Sequence, residues 1–243
     1  MKQFSSQELL SRWEDLREIK NLMGRLSHDY VLKAVGSIYA TYWSTRQDVC
    51  LGINEGWFDG AEAVSAYYVN QDERIVLESR LIQAAFPEEL GNKTASEVHG
   101  VGMIDYKPVD TPVIEIAADG KTAKGLWTIR GSHSVLTKGG PMAYWEWGWF
   151  AVDFVLEDGT WKIWHMQYLQ DVCRPCGYPW TGPEKAYRER PEFADVDQWT
   201  PLQPNVPCIL HERYSAERAP SKAPRMPEPY ETFETAFTYG REA

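Results

Sequence analysis

From Ser6 onward, Leu9, Leu10, Trp13, Leu16, Ile19, Leu22, Met23 and Leu26 recur three or four residues apart. Such spacing lays one apolar stripe along a helix, and the pattern predicts helix over residues 6–46 with a break near Gly36. Ser5 and Glu8 have the spacing of a capping box at its start. "DVCLGI" (48–53) reads as a short strand, followed by a turn and a second helical run over 60–86. From residue 98 the period changes to two. Stretches 97–120, 121–136, 142–159 and 160–172 read as four strands, with Asp-Gly turns at 119–120 and 158–159. Helices first and an antiparallel meander afterwards predict an α+β fold, with a curved sheet folded against the N-terminal helices.

One strand is unusual on both faces. In "YWEWGWFAVDF" (144–154), alternation sends Trp145, Trp147 and Trp149 to one side. Tyr144, Glu146, Gly148, Phe150, Val152 and Phe154 go to the other. Neither set resembles solvent surface, so both faces are expected to be covered. The indoles are candidates for the wall of a pocket for a flat aromatic ligand.

Beyond residue 170 the character changes. Eleven of the 15 prolines fall between residues 171 and 243, mixed with charges and with Tyr178, Trp180, Trp199, Tyr214, Tyr230 and Phe233. Such sequence does not build its own core, yet its aromatics argue against plain disorder. The expected organisation is one α+β domain over 1–170 and an extended Pro-rich arm over 171–243, packed on its own or a neighbouring subunit.

Composition narrows the function classes. The chain has 243 residues, 13% aromatic, and a formal net charge of −10. An acidic chain with no Lys/Arg cluster is a poor binder of nucleic acid. The N-terminus lacks the apolar core of a signal peptide and no run is long enough to span a membrane, so a cytoplasmic location is expected. The Asn92-Lys93-Thr94 sequon carries no weight without such a signal. Cys173 and Cys176, in "CRPC", follow a strand within Pro-rich sequence and read as a reduced structural pair. Cys208 and His211 extend them only to a loose zinc pattern.

The stretches "REIKNLMGRLSHDY", "TPVIEIAADGKTAKGLW", "AYWEWGWFAVDFVLEDGTWKIWHMQY" and the "GSH" of 131–133 resemble the cone-shaped nuclear transport factor 2-like superfamily, in particular its SnoaL-like branch. The resemblance covers roughly residues 6–170. It implies a hollow used as a small-molecule pocket and acid–base chemistry with neither metal nor organic cofactor. The superfamily hosts dehydratases, isomerases, cyclases, formaldehyde-releasing lyases and non-catalytic binders, so fold alone does not choose among them.

His133 is the first catalytic candidate, because similar dehydratases carry a histidine or aspartate on this strand. Alternation groups it with Trp127, Ile129 and Gly131, and Gly131 is expected to leave room for a ligand. The alternative is an inert strand-end histidine. In "SHDY", the resemblance suggests Asp29 as the residue orienting His133 and Tyr30 as the one polarising a substrate oxygen, with His28 able to stand in for either. Asp110 is a third catalytic candidate, sharing a strand face with Tyr106, Ile104 and Pro108. Many relatives have a histidine nearby, where this chain has Lys107 and Asp110, which departs from a two-histidine mechanism. Tyr106, Trp127 and Trp147 are candidate substrate contacts. Glu146 is either a pocket acid or a partner of Arg130 or Lys162, since carboxylates are rarely buried unpaired. His165 reads as core or as support for the site.

These parts predict a cofactor-independent lyase acting on a hydroxylated aromatic or polycyclic molecule and releasing water or formaldehyde. An isomerase using Asp110 and Tyr30, or a non-catalytic aromatic-ligand binder, are the other readings. A homo-oligomer is expected in each case, a trimer ahead of a dimer, because an open sheet exposes an apolar face.

Overall fold

A computed structural model of the chain describes residues 4–31, 34–137, 140–182 and 201–241. Helix α1 (Ser6–Val31) starts at the expected box: the Ser5 amide donates to Glu8 Oε2 at 2.8 Å and the Glu8 amide to Ser5 Oγ at 3.3 Å. A single 3-10 turn (Val35–Ser37) and the short α2 (Ile38–Tyr42) stand where Gly36 predicts the break. Strands β1 (Cys50–Ile53) and β2 (Gly56–Asp59) form a hairpin, and α3 (Ala61–Ala85) follows. Short helices α4 (Pro87–Leu90) and α5 (Ala95–Val98) lead to β3 (Ile104–Tyr106) and β4 (Val109–Ile116). Three long strands complete the body: β5 (Thr122–Thr137), β6 (Gly140–Glu157) and β7 (Thr160–Pro175).

These strands make one curved, unclosed sheet in the order β3-β5-β6-β7-β1-β2-β8, with β4 also paired to β5 and a two-residue β8 (Val206–Pro207) on the β2 edge. The layout is α+β, as the pattern predicts. Asp158 (φ 49°) and Gly159 (φ 77°) turn β6 into β7 as a two-residue loop whose positive φ values match the twist of the hairpin. The expected single strand over 97–120 is instead the end of α5 and two strands. Thr94 and Glu97 cap α5 reciprocally, and Pro108 interrupts the run between β3 and β4.

The concave face packs on the helices. Ile19, Met23 and Leu26 of α1 meet Trp127, Phe150, Phe154 and Trp161 in one apolar core. Trp127 is therefore a core side chain, 2% exposed, rather than a substrate contact. The three indoles turn the other way. Trp145 is 41% exposed, Trp147 meets the ring of Trp180 at 5.5 Å, and Trp149 donates from Nε1 to Asp171 Oδ2 at 2.9 Å. Trp147 is thus on the outer face, away from the hollow.

Pro201 and Leu202 border the hollow beside α3, the rest of 201–241 lies against that outer face and the β2 edge, and 183–200, with Trp199, fall outside the described residues. Asp153, fully buried on the outer face, accepts from Lys124 Nζ (2.7 Å), Thr238 Oγ1 (2.8 Å) and the Tyr239 amide (2.8 Å), and pairs with His165 Nδ1 at 3.0 Å. Phe233 and Phe237 roof the Lys124 ammonium at 4.5 and 5.0 Å. His165 thus belongs to a buried outer-face cluster and not to the hollow.

Gly131 has a tighter role than expected. A Cβ there would overlap the Tyr106 carbonyl oxygen of β3, so the space it leaves is filled by backbone, not by a ligand. We expect Gly131→Ala to lose about 1–3 kcal/mol through this forced overlap, read as a lower urea midpoint.

Candidate active site

The hollow between α1, α3 and the concave sheet encloses about 270 Å³. One face of α3 lines it at helical spacing, with Tyr67, Asn70, Gln71, Arg74 and Ile75. The sheet contributes His133, Tyr144, Glu146, Tyr168, Gln170 and Cys173, and the β3 region contributes Asp105 and Lys107.

At its floor is a buried carboxylate. Glu146 is 2% exposed, and its Oε2 lies 3.0 Å from His133 Nδ1 and 3.5 Å from Lys107 Nζ. Its Oε1 accepts from Gln170 Nε2 at 2.9 Å. Register explains the first contact. His133 pairs with Tyr144 and Gly131 with Glu146, so histidine and glutamate are diagonal neighbours on one face. The His133 ring stacks on Tyr144 at 4.9 Å between centroids, with 6° between the planes. Burial by itself raises the Glu146 carboxyl, but the Lys107 charge and the His133 bond outweigh it and hold the group well below the usual range. An ionised carboxylate only accepts, so Nδ1 of His133 carries the proton in this bond. In the neutral ring Nε2 then holds the lone pair. No group bonds Nε2 among the described residues.

Lys107 occupies the break between β3 and β4. Its carbonyl accepts from Ser27 Oγ of α1 at 2.6 Å, and its ammonium pairs with Asp105 over the Tyr30 ring, 4.9 Å from the centroid. Burial opposes the charge, but Asp105 and Glu146 prevail and hold the ammonium above the ordinary lysine range. Such a lysine is a fixed cation, not a nucleophile.

Two tyrosines complete the wall. The Tyr30 hydroxyl is buried beside Tyr68, which accepts from Trp43 Nε1 at 3.2 Å, and burial raises it well above the usual tyrosine range. The Tyr67 hydroxyl has no hydrogen-bond partner among the described residues, and burial pushes it up to about 12. It stays a neutral donor at the hollow.

The other expected site residues lie elsewhere. His28 is exposed on α1, and Asp29 accepts from Tyr42 Oη at 2.5 Å instead of reaching His133. Tyr106 is half exposed, and Asp110 pairs loosely with the exposed Arg130 at 3.5 Å. Both face outward because β3 and the break after it turn Asp105 and Lys107, of the opposite parity, to the hollow. The expected partners of Glu146 are engaged away from it: Arg130 with Asp110, and Lys162 with the Thr41 carbonyl at 2.9 Å. None of the four cysteines is in a disulfide. Cys173 lines the hollow, Cys176 and Cys208 are exposed, and His211 bonds Asp171 at 2.6 Å. Among the described residues no group of three His, Cys, Asp or Glu side chains is placed to hold a metal ion, and no helix is long and apolar enough to cross a membrane.

Residues 95–167 match the family described as the SnoaL-like domain. Over this stretch the chain is similar to that family. No curated protein matches the chain. Among solved structures it is similar to a type-2 hexachlorocyclohexane dehydrochlorinase, LinA (12% identity, 72% of this chain and 97% of that one, TM-score 0.48). LinA-type3 from Novosphingobium barchaimii is also similar (14%, 72% and 99%, TM-score 0.47). So is an NTF2-like protein with a cystatin-like fold from Novosphingobium aromaticivorans (12%, 70% and 92%, TM-score 0.41). The SnoaL-like stretch contains Asp105, Lys107, His133 and Glu146. Tyr30, Tyr67 and Gln170 reach the same hollow from outside it.

Glu146 has a depressed folded-state pKa, so its pairing stabilises fully above the ordinary carboxylate value and is lost as pH falls through the folded one. We expect wild type to lose this contribution on acidification from 4.5 toward about 2. Glu146→Gln should cost about 3–5 kcal/mol at neutral pH and show a shallower acid dependence. Urea unfolding at neutral and acid pH reads both.

Proposed function

We propose that the chain is a cofactor-independent lyase that uses acid–base chemistry on a hydroxylated aromatic molecule, releasing water or formaldehyde. The observation that carries this reading is the His133–Glu146 pair at the hollow, 3.0 Å apart, with Nε2 unbonded among the described residues. His133 takes a proton through Nε2, and Glu146 stabilises the imidazolium that forms. For loss of water, the proton comes from carbon, and hydroxide departs from the neighbouring carbon with a proton returned by the imidazolium. For loss of formaldehyde, the proton comes from a hydroxymethyl oxygen. The C–C bond then breaks, and the carbanion recovers the proton. Tyr67 donates to the substrate oxygen on which negative charge develops.

The hollow, about 270 Å³, falls just below the roughly 300–1,000 Å³ range of small-molecule pockets. It suits one or two rings better than a fused polycycle. The isomerase reading loses support because Asp110 faces outward and the Glu146 carboxylate is already held by His133, Lys107 and Gln170. A non-catalytic binder is the remaining alternative.

Mass spectrometry of products from a panel of hydroxylated one- and two-ring compounds tests the proposal. We expect loss of water or formaldehyde, reduced about 10²–10⁴-fold by His133→Ala and about 10²-fold by Tyr67→Phe. Ligand binding by wild type and His133→Ala alike, without turnover in either, would favour the binder.

A further inference from the structure

Every charged side chain at the hollow already has an opposite partner. Its lining includes the carboxylates of Glu55, Asp105 and Glu146 against the cations of Arg74 and Lys107. Arg74 is held by Glu78 at 2.6 Å, and Lys107 is divided between Asp105 and Glu146. At the rim, Glu55 is paired with Arg213 at 2.7 Å. Counting these outer partners, Glu78 and Arg213, leaves the balance at one negative charge, and a proton on His133 brings it only to zero.

Most of the neutral donors are committed too. The Asn54 amide donates to the Gln170 and His211 carbonyls and the Ser134 hydroxyl to Gly102, while the Tyr30 hydroxyl is shut in against Tyr68. Two groups at the hollow have no hydrogen-bond partner among the described residues: the Tyr67 hydroxyl and the Gln71 amide. They stand four residues apart on α3, on one face. With His133 Nε2 they form a neutral set of two donors and an acceptor, which matches a hydroxyl or carbonyl oxygen. A carboxylate would meet no uncommitted cation and would be desolvated beside Asp105 and Glu146.

We propose that this hollow takes its ring-bearing ligand uncharged and rejects the matching carboxylate, with Asp105 as a specificity-determining residue. The inference rests on the lyase reading only for the identity of the pocket, and its readout is binding rather than turnover. The probes are 4-hydroxybenzyl alcohol and 4-hydroxybenzoate, alike in ring and size, titrated calorimetrically into the full chain at neutral pH. We expect the alcohol to bind at least about tenfold more tightly, the scale set by like charges a few ångströms apart in a partly screened site. Asp105→Asn removes one negative charge and frees Lys107 from one of its two carboxylates. It should improve carboxylate binding and narrow the ratio about threefold or more. If that variant fails to fold, as judged by circular dichroism, Glu55→Gln at the rim should shift the ratio in the same direction.

A carboxylate that binds as well as the alcohol would overturn the proposal. A ratio left unmoved by the folded variant would remove Asp105 from it. Alcohol binding without turnover of any substrate would uphold the charge preference while removing the lyase reading. Binding of neither probe at about 10 mM, far above the affinity expected of a fitted pocket, would overturn both.

Discussion

Sixteen consecutive residue pairs, from Thr122↔Val155 to Thr137↔Gly140, hold β5 and β6 in one unbroken register. The rest of the molecule depends on this constraint. A slip of one residue would exchange the two faces, sending Glu146 and Phe150 outward and the indoles inward. Register also makes His133 and Glu146 diagonal neighbours, so their pairing is a property of the ladder and requires no loop to fold around it. β7 is less regular, with shifts at Trp147/Gly148 and Asp153/Phe154. A Cβ on Gly148 would overlap the Leu169 carbonyl oxygen, so that residue is what lets β7 approach at the first shift.

Burying Glu146 costs several kcal/mol of lost hydration unless its oxygens are satisfied. Three donors from three places meet that demand: His133 on β5, Gln170 on β7 and Lys107 in the gap between β3 and β4. Lys107 is itself fixed by Asp105 and by the Ser27 bond from α1. Helix, edge strands and central strands therefore converge on one carboxylate. The imidazole it orients inherits that rigidity, which is what proton transfer at a fixed distance requires.

Strong periodicity made the fold legible in the sequence, down to the Ser5–Glu8 cap and the break at Gly36. The site was legible in part. Alternation correctly grouped Tyr144 with Glu146, and His133 with Gly131, because parity along a strand survives without knowledge of its neighbours. The same rule singled out Tyr106 and Asp110, although Asp105 and Lys107 are the residues that face inward. Parity says which residues share a face but not which face is inside. The meeting of His133 with Glu146 depends on register between two strands, which neither strand encodes alone. Tyr67, Gln71 and Arg74 went unnoticed, yet their i, i+4, i+7 spacing on a helix with few apolar residues along that stripe was a usable signal. "SHDY" drew attention for His28, Asp29 and Tyr30, whereas its inward contacts are made by Ser27 and Tyr30.

The outer face leads to a different conclusion about where this protein begins and ends as a unit. Asp153 draws two of its donors from Thr238 and Tyr239, more than eighty residues along the chain, and the same segment supplies the rings over Lys124. A gene cut after residue 170 would leave a buried aspartate short of both and a lysine without its roof. Stretch 95–167, which carries the family likeness, is consequently no portable cassette. Grafting it into a relative, or shuffling it between relatives, would have to carry residues 201–241 along, because what is shared with the family is shorter than what must fold together.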